Sequence, residues 1–244
     1  MKAVSAYMLI LLLPLFSRGQ DQVGIKAGYI CYWFDRPDQE MYSCHYDFSH
    51  SACSVSLMLK QRADNTFIPG IELAYTNRSF TVRSGCGNSD QSQYWDYSYN
   101  LGNVYLKVQP RFITGDRVRF FFYPGFYIGA LLHSSLHGTH SIWNGSVLAK
   151  TETKNGNARG YYPDVEFGAI VGAGIDIPLN RHLSLVYENS FTMSMTPVAK
   201  AWGVETARMF GLNFELGIAY NFKMKKPGSI DKIKPTSKEP PASL

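Results

Sequence analysis

The stretch FGLNFELGIAYNF, residues 210–222, alternates almost without fault. Phe210, Leu212, Phe214, Leu216, Ile218, Tyr220 and Phe222 share one parity, and Gly211, Asn213, Glu215, Gly217, Ala219 and Asn221 share the other. Side chains of a β-strand point alternately to its two faces, so the segment reads as a strand with one apolar face and one small, polar face. DVEFGAIVGAGIDI, residues 164–177, repeats the pattern. There Val165, Phe167, Ala169, Val171, Ala173, Ile175 and Ile177 oppose Asp164, Glu166, Gly168, Gly172, Gly174 and Asp176.

Working outward, period-2 alternation runs through the body of the chain and sustained helical periodicity does not. It predicts eight strands, over 23–34, 52–60, 67–82, 98–112, 118–132, 164–178, 181–195 and 208–222. Short turns (QRADNT at 61–66, TGD at 114–116, LNR at 179–181) alternate with long loops, the longest over 133–163. Short turns on one rim and long loops on the other are the mark of a transmembrane β-barrel. Twelve steps from Phe210 to Phe222, at about 3.3 Å each and a tilt near 40°, cover roughly 30 Å of membrane normal. The expected fold is all-β, an eight-stranded antiparallel up-and-down transmembrane barrel. Trp33 and Phe210 are expected in an outer aromatic girdle, and Phe112, Phe120, Tyr220 and Phe222 in an inner one.

The opening residues MKAVSAYMLILLLPLFSRGQ carry Lys2, an apolar run from Tyr7 to Phe16, and small residues Ser17 and Gly19 before a cut after Gly19. They read as a secretory signal peptide over 1–19, too short to span a bilayer. The barrel is then expected over 20–222. The net charge of +5 comes from the ends: 20–222 holds 16 bases and 17 acids, whereas 223–244 holds six lysines against Asp231 and Glu239. Nothing in so neutral a body points to nucleic acid. The tail 223–244, with Pro227, Pro235, Pro240 and Pro241, is too poor in bulky apolar residues to offset its ordering entropy. It is expected to be disordered and periplasmic, either a spacer or a docking strip for an envelope protein partner.

NVYLKVQPRFITGDRVRFFFYPGFYIGALL (103–132) followed by FGAIVGAGIDIPLNRHLSLVYENSFTM (167–193) resembles the PorT-like outer-membrane β-barrel proteins of the Bacteroidetes. The matching pieces are a proline-interrupted strand, a short turn, an aromatic strand with Pro-Gly, then GAGIDIPL and a final strand ending in Phe. The resemblance covers most of 23–222. It implies a barrel in the bacterial outer membrane, in contact with its lipid, and, for the family's best-known member, service to a protein secretion system. The basic tail beyond Phe222 departs from the family's usual ending.

By this phasing the lumen carries Lys26, Glu72, Arg78, Lys107, Arg111, Arg119, Glu166, Asp176, Glu188 and Glu215, five bases and five acids. The interior of an eight-stranded barrel is just wide enough for side chains, and unpaired buried charge is costly. The expectation is a salt-bridged plug, with a narrow ion or solute path as the alternative. His133, His137 and His140 could bind a divalent metal such as zinc, and a helix would align them, but Gly138 and the strand-to-loop context argue against a helix, and no carboxylate or thiol lies within the run. His133–Ser134 offers a hydrolase dyad without the G-x-S-x-G context. No cofactor, metal or catalytic residue is therefore expected. Cys31, Cys44, Cys53 and Cys86 fall at or beyond the upper strand ends, and export permits disulfides. Cys31–Cys53 and Cys44–Cys86 are the favoured pairings. The sequons at Asn77 and Asn144 are chance matches in a bacterial barrel.

The function expected is a non-enzymatic outer-membrane protein, structural or part of an envelope or protein-secretion complex. Two alternatives stand beside it. A lipocalin-like soluble carrier would put its apolar face inside, and a lipid-modifying barrel enzyme would need a catalytic group at the barrel mouth.

Overall fold

The computed structural model describes residues 22–34, 45–60, 67–87, 91–115, 118–160, 162–197 and 208–222. The expected signal peptide, the tail 223–244 and Cys44 lie outside them. The described residues form nine strands: β1 (Gln22–Phe34), β2 (His45–Lys60), β3 (Phe67–Gly87), β4 (Gln91–Thr114), β5 (Arg119–Asn144), β6 (Val147–Gly156), β7 (Val165–Pro178), β8 (Leu183–Ser194) and β9 (Met209–Asn221). Eight close a ring in the order β1-β2-β3-β4-β5-β7-β8-β9. The last strand returns to the first over thirteen antiparallel residue pairs, from Gln22↔Asn221 to Phe34↔Met209. Closure leaves no edge within the barrel, which is what permits backbone to cross lipid.

The ninth strand corrects the loop expected over 133–163. β5 runs past the barrel to Asn144, and β6 folds back on it from Asn144↔Val147 to Leu136↔Gly156. The turn holds two residues, and its first, Gly145, takes a φ of 55°, the conformation a tight hairpin of this length asks of glycine. Below, β5 pairs instead with β7, from Arg119↔Asp176 to Ala130↔Val165. The partner changes where β4–β5 pairing shifts from Asn103↔Leu131 to Gly102↔His133, leaving Leu132 as an extra residue. Such a bulge reverses which residues of β5 face inward.

β2, β3 and β4 are also longer than expected. Ala52 is the last β2 residue paired to β1, yet β2 begins at His45. β4 and β5 stay paired for twelve residues beyond the bulge, from Gly102↔His133 to Gln91↔Asn144, about 35 Å of strand. The result is a five-stranded wall, β2-β3-β4-β5-β6, standing above one side of the ring. The short turns lie at the opposite rim, with the start of β1 and the end of β9.

Inside and outside follow the alternation. In β9, Ile218 is 56% exposed and Glu215 1%. Trp33, Phe191 and Phe210 pack together at the upper rim, with centroids 5.9–6.0 Å apart. Phe67 with Phe112 and Tyr220 with Phe222 do so at the lower rim, at 5.4 and 5.0 Å. Pro69, Pro110 and Pro124 fall on neighbouring strands, and the β4–β5 ladder lapses between Val108↔Phe126 and Phe112↔Phe122, since proline has no N–H to give.

Ala173 faces outward on β7. An Ala173→Arg variant is expected to lose ~2–4 kcal/mol of folding free energy in bilayers, the cost of arginine near the midplane. Urea unfolding in phospholipid vesicles measures it, and an unchanged midpoint would put this face in water.

Candidate functional site

The charges of the lumen form two connected layers. In the lower, the Lys26 ammonium on β1 lies 2.7 Å from Glu72 on β3, 3.1 Å from Glu188 on β8 and 2.7 Å from Glu215 on β9. Three N–H donors thus meet three carboxylates. Lys107 on β4 adds contacts of 2.6 Å to Glu72 and 3.7 Å to Glu215, and Arg111 one of 3.0 Å to Glu188. Three cations and three anions, all buried, cancel. The Tyr123 hydroxyl donates to Glu188 and Ser54 to Glu215. Glu72, Glu188 and Glu215 bring carboxylate oxygens within 4.8 Å of one another, a set able to hold a metal ion. Here the cation among them is the protein's own Lys26.

The upper layer is built on Arg78 and Glu166, 2.8 Å apart. Tyr105 and Tyr127 each donate to Glu166 at 2.8 Å, and Tyr162 at 3.1 Å. Arg78 donates to the hydroxyls of Tyr32, at 3.1 Å, and Tyr162, and its guanidinium lies 4.9 and 5.0 Å from the ring centroids of Tyr32 and Tyr105. Tyr162 comes down from the β6–β7 connection, so this layer also ties a loop into the mouth. Above it, Phe80, Tyr97, Tyr99, Leu101 and Leu136 on the inner face of the wall and Ala158 from the β6–β7 connection form a buried apolar cap. Between the layers, a cavity of about 20 Å³ is bordered by Thr76, Arg78, Lys107 and Asn213, room for about one water.

Glycine makes this packing fit. A Cβ on Gly168 would lie 2.3 Å from the Tyr127 ring, on Gly172 2.4 Å from Tyr123, and on Gly129 2.3 Å from Tyr105. The inward glycines of β7 make the space into which Tyr123 and Tyr127 of β5 lean, and Gly129 of β5 does the same for Tyr105 of β4. These tyrosines are the residues that alternation alone missed. A Tyr placed cross-strand from an inward Gly was the available signal.

Of the ten lumen charges expected, eight join these layers. Asp176 is buried at the lower end, opposite Arg119 in register, and Arg119 is only half-buried at the rim. Lys60, not among the ten, is buried in the lumen and lies 5.1 Å from the Phe121 ring centroid. The Cys31–Cys53 bridge is not formed: both are free thiols on the outer face. The register sets Cys53 opposite Tyr29, two places short of Cys31, so the pair is diagonal. Cys86 stands opposite Gln93 in β3, and its proposed partner Cys44 is outside the described residues.

The histidines do not converge. His133 and His137 occupy the outer parity of β5, whereas His140 occupies the inner one, stacked on Trp95 at 5.1 Å. His133 instead covers the open face of Gly102. Ser134 and His133 point to opposite faces of one strand, which separates the hydrolase dyad. An apolar exterior around a charged lumen is also the reverse of a lipocalin.

A closed antiparallel ring with an apolar outer band, aromatic rims and a paired-charge lumen is an outer-membrane β-barrel. The chain belongs to the family described as outer membrane protein beta-barrel domain, whose pattern matches residues 19–213, and it is a protein of the bacterial outer membrane. No curated protein matches it. Among solved structures it is similar to Neisserial surface protein A (11% identity, TM-score 0.45, covering 82% of this chain and 96% of that one). It is also similar to Ail, the attachment invasion locus protein of Yersinia pestis (13%, 0.35, 83% and 99%). A third is OprG from Pseudomonas aeruginosa (14%, 0.36, 84% and 98%).

Removing Lys26 leaves three carboxylates facing one another. Lys26→Met is expected to cost about 3–5 kcal/mol, the penalty for stripping one partner from a buried ionic set. Adding Glu215→Gln should recover part of it. Equilibrium unfolding of the three proteins in detergent tests this, and a single variant as stable as the parent would remove the network from the fold's energetics.

Proposed function

We propose that this barrel is a non-enzymatic, non-conducting component of an envelope assembly, of the PorT-like kind that the sequence resembles. Recognition is exterior, and the five-stranded wall above the ring is its working surface. The observation that carries the reading is the double closure of the lumen. The Lys26 layer and the Arg78–Glu166 layer fill it with paired charge, and the apolar cap lies over both. A pore needs a continuous wet path, and between the layers the described residues leave room for about one water. A lipid-modifying enzyme needs a nucleophile or general base at the mouth, and the Ser134 hydroxyl is engaged with Asn157 instead.

The wall supports the recognition role because binding residues sit disproportionately on segments projecting from a rigid scaffold. On the periplasmic side, the lysine-rich segment after Phe222 is the natural docking strip for an acidic envelope partner, its charge speeding encounter.

Planar-bilayer recordings of the purified protein are expected to show no stable large conductance. Reproducible porin-sized steps would end this reading. Truncation after Phe222 is expected to leave membrane insertion and heat-modifiable gel migration intact while releasing co-purifying envelope proteins. Unchanged partners and phenotype would make the tail a spacer.

A further inference from the structure

We propose that the barrel pairs with a second copy of itself in the membrane, the two Asn189 amides meeting on the two-fold axis. Asn189 sits on the outward parity of β8, between Tyr187 and Phe191. In register it stands directly across from Ala173 on β7 and Phe214 on β9. Its level is six residues above the Leu183↔Tyr220 pair at the lower rim and four below the Met193↔Phe210 pair at the upper. At roughly 2.5 Å of membrane normal per residue, these are distances of about 15 and about 10 Å, well inside the hydrocarbon.

Among the described residues, β7, β8 and β9 turn no other amide and no charged side chain to this face. The Asn189 Oδ1 is shielded from solvent and accepts no hydrogen bond. Acyl chains have no donor to offer it, and headgroups and water lie about 10 Å away at the nearer interface. An unpaired amide at this depth is costly. The donor it lacks is one carried by another protein at the same depth.

A second copy supplies that donor by symmetry. A two-fold axis along the membrane normal sets both Asn189 residues at one height, whatever the tilt of the strands. A primary amide carries a donor and an acceptor, so two of them form a reciprocal pair. Asparagine χ2 occupies a broad range, which lets the shielded oxygen turn to the surface. Ala173 beside it is small, and small residues are what allow close approach within membranes. Tyr187, Phe191 and Phe214, each 36–39% exposed, supply apolar contact around the polar centre.

The test uses the full-length barrel in a detergent matched to the density of the solvent, its mass read by sedimentation equilibrium over a range of protein-to-detergent ratios. The native protein is expected to show a reversible monomer–dimer equilibrium. Asn189→Leu removes the amide from a lipid-facing position. It should fold, as heat-modifiable gel migration will show, and dimerise roughly tenfold more weakly, the effect of two hydrogen bonds at the strength measured within membranes. In vesicles, oxidation of Asn189→Cys should give a cross-linked dimer above the native background, whereas Ile218→Cys, outward on β9 but off the axis, should not. A native protein that is monomeric at every ratio, or an Asn189→Leu dimer as tight as the native one, overturns the proposal. Should Asn189→Leu fail to fold, the cross-linking decides, and equal yields from the two cysteine variants overturn the proposal as well.

Discussion

Lys26 is where the constraints of this barrel meet. Its ammonium reaches carboxylates on β3, β8 and β9, and β1 hydrogen-bonds to only the last of these strands. The contact therefore acts across the lumen, between strands that the backbone ladder does not join. Buried ion pairs are poor evidence of net stability, because desolvation consumes most of the Coulombic gain. Their effect here is on register. A slip of one residue in any contributing strand would turn its charge into lipid and leave the others unpaired, and both errors are costly. The ladder alone tolerates slips that the charges forbid.

The second constraint is volume. An eight-stranded ring has no room for ten long charged side chains and five tyrosines unless something yields. What yields is Cβ. Gly168, Gly172 and Gly129 stand against the rings of Tyr127, Tyr123 and Tyr105 on adjacent strands. Those hydroxyls then donate to Glu166 and Glu188. Glycine, aromatic ring and carboxylate form one repeated unit: the gap admits the ring, and the ring delivers the donor. A larger residue at Gly172 would displace Tyr123 and so strip a donor from Glu188, in addition to its own steric cost.

Much of this architecture is legible in the residue pattern, and what escapes does so for physical reasons. Alternation reports which residues share a face, so the inward parity of Glu166, Asp176, Glu188 and Glu215 follows from their strands alone. It does not report where a strand ends once both of its faces are wet. HSSLHGTH reads as a loop because the apolar face disappears above the membrane, although the backbone continues as strand to Asn144. The extra residue Leu132 is also invisible to pattern, yet it reverses parity and so separates His140 from His133 and His137. Lys60 is lost at a strand terminus, where neighbouring Leu59 is also buried and the alternation breaks down. The Cys31–Cys53 expectation fails by an offset of two residues in one register.

The asymmetry of the upper rim follows from these same facts. Among the described residues, β7, β8, β9 and β1 reach no higher than the girdle of Trp33, Phe191 and Phe210, whereas β2 to β6 continue. Strands that continue on one side only cannot close a taller barrel. They can close the mouth by leaning over it. Phe80 and Tyr99, stacked at 4.8 Å, with Tyr97 and Leu136, do this from the wall. Tyr162 completes the closure from the β6–β7 connection by anchoring its hydroxyl to Arg78 and Glu166. The wall's inner face at its base is therefore committed to sealing the barrel. What remains available to a partner is its outer face and upper edge, where His137, Val147 and Leu148 are exposed. Closure of the lumen and display of a surface are two consequences of a single uneven extension of the sheet.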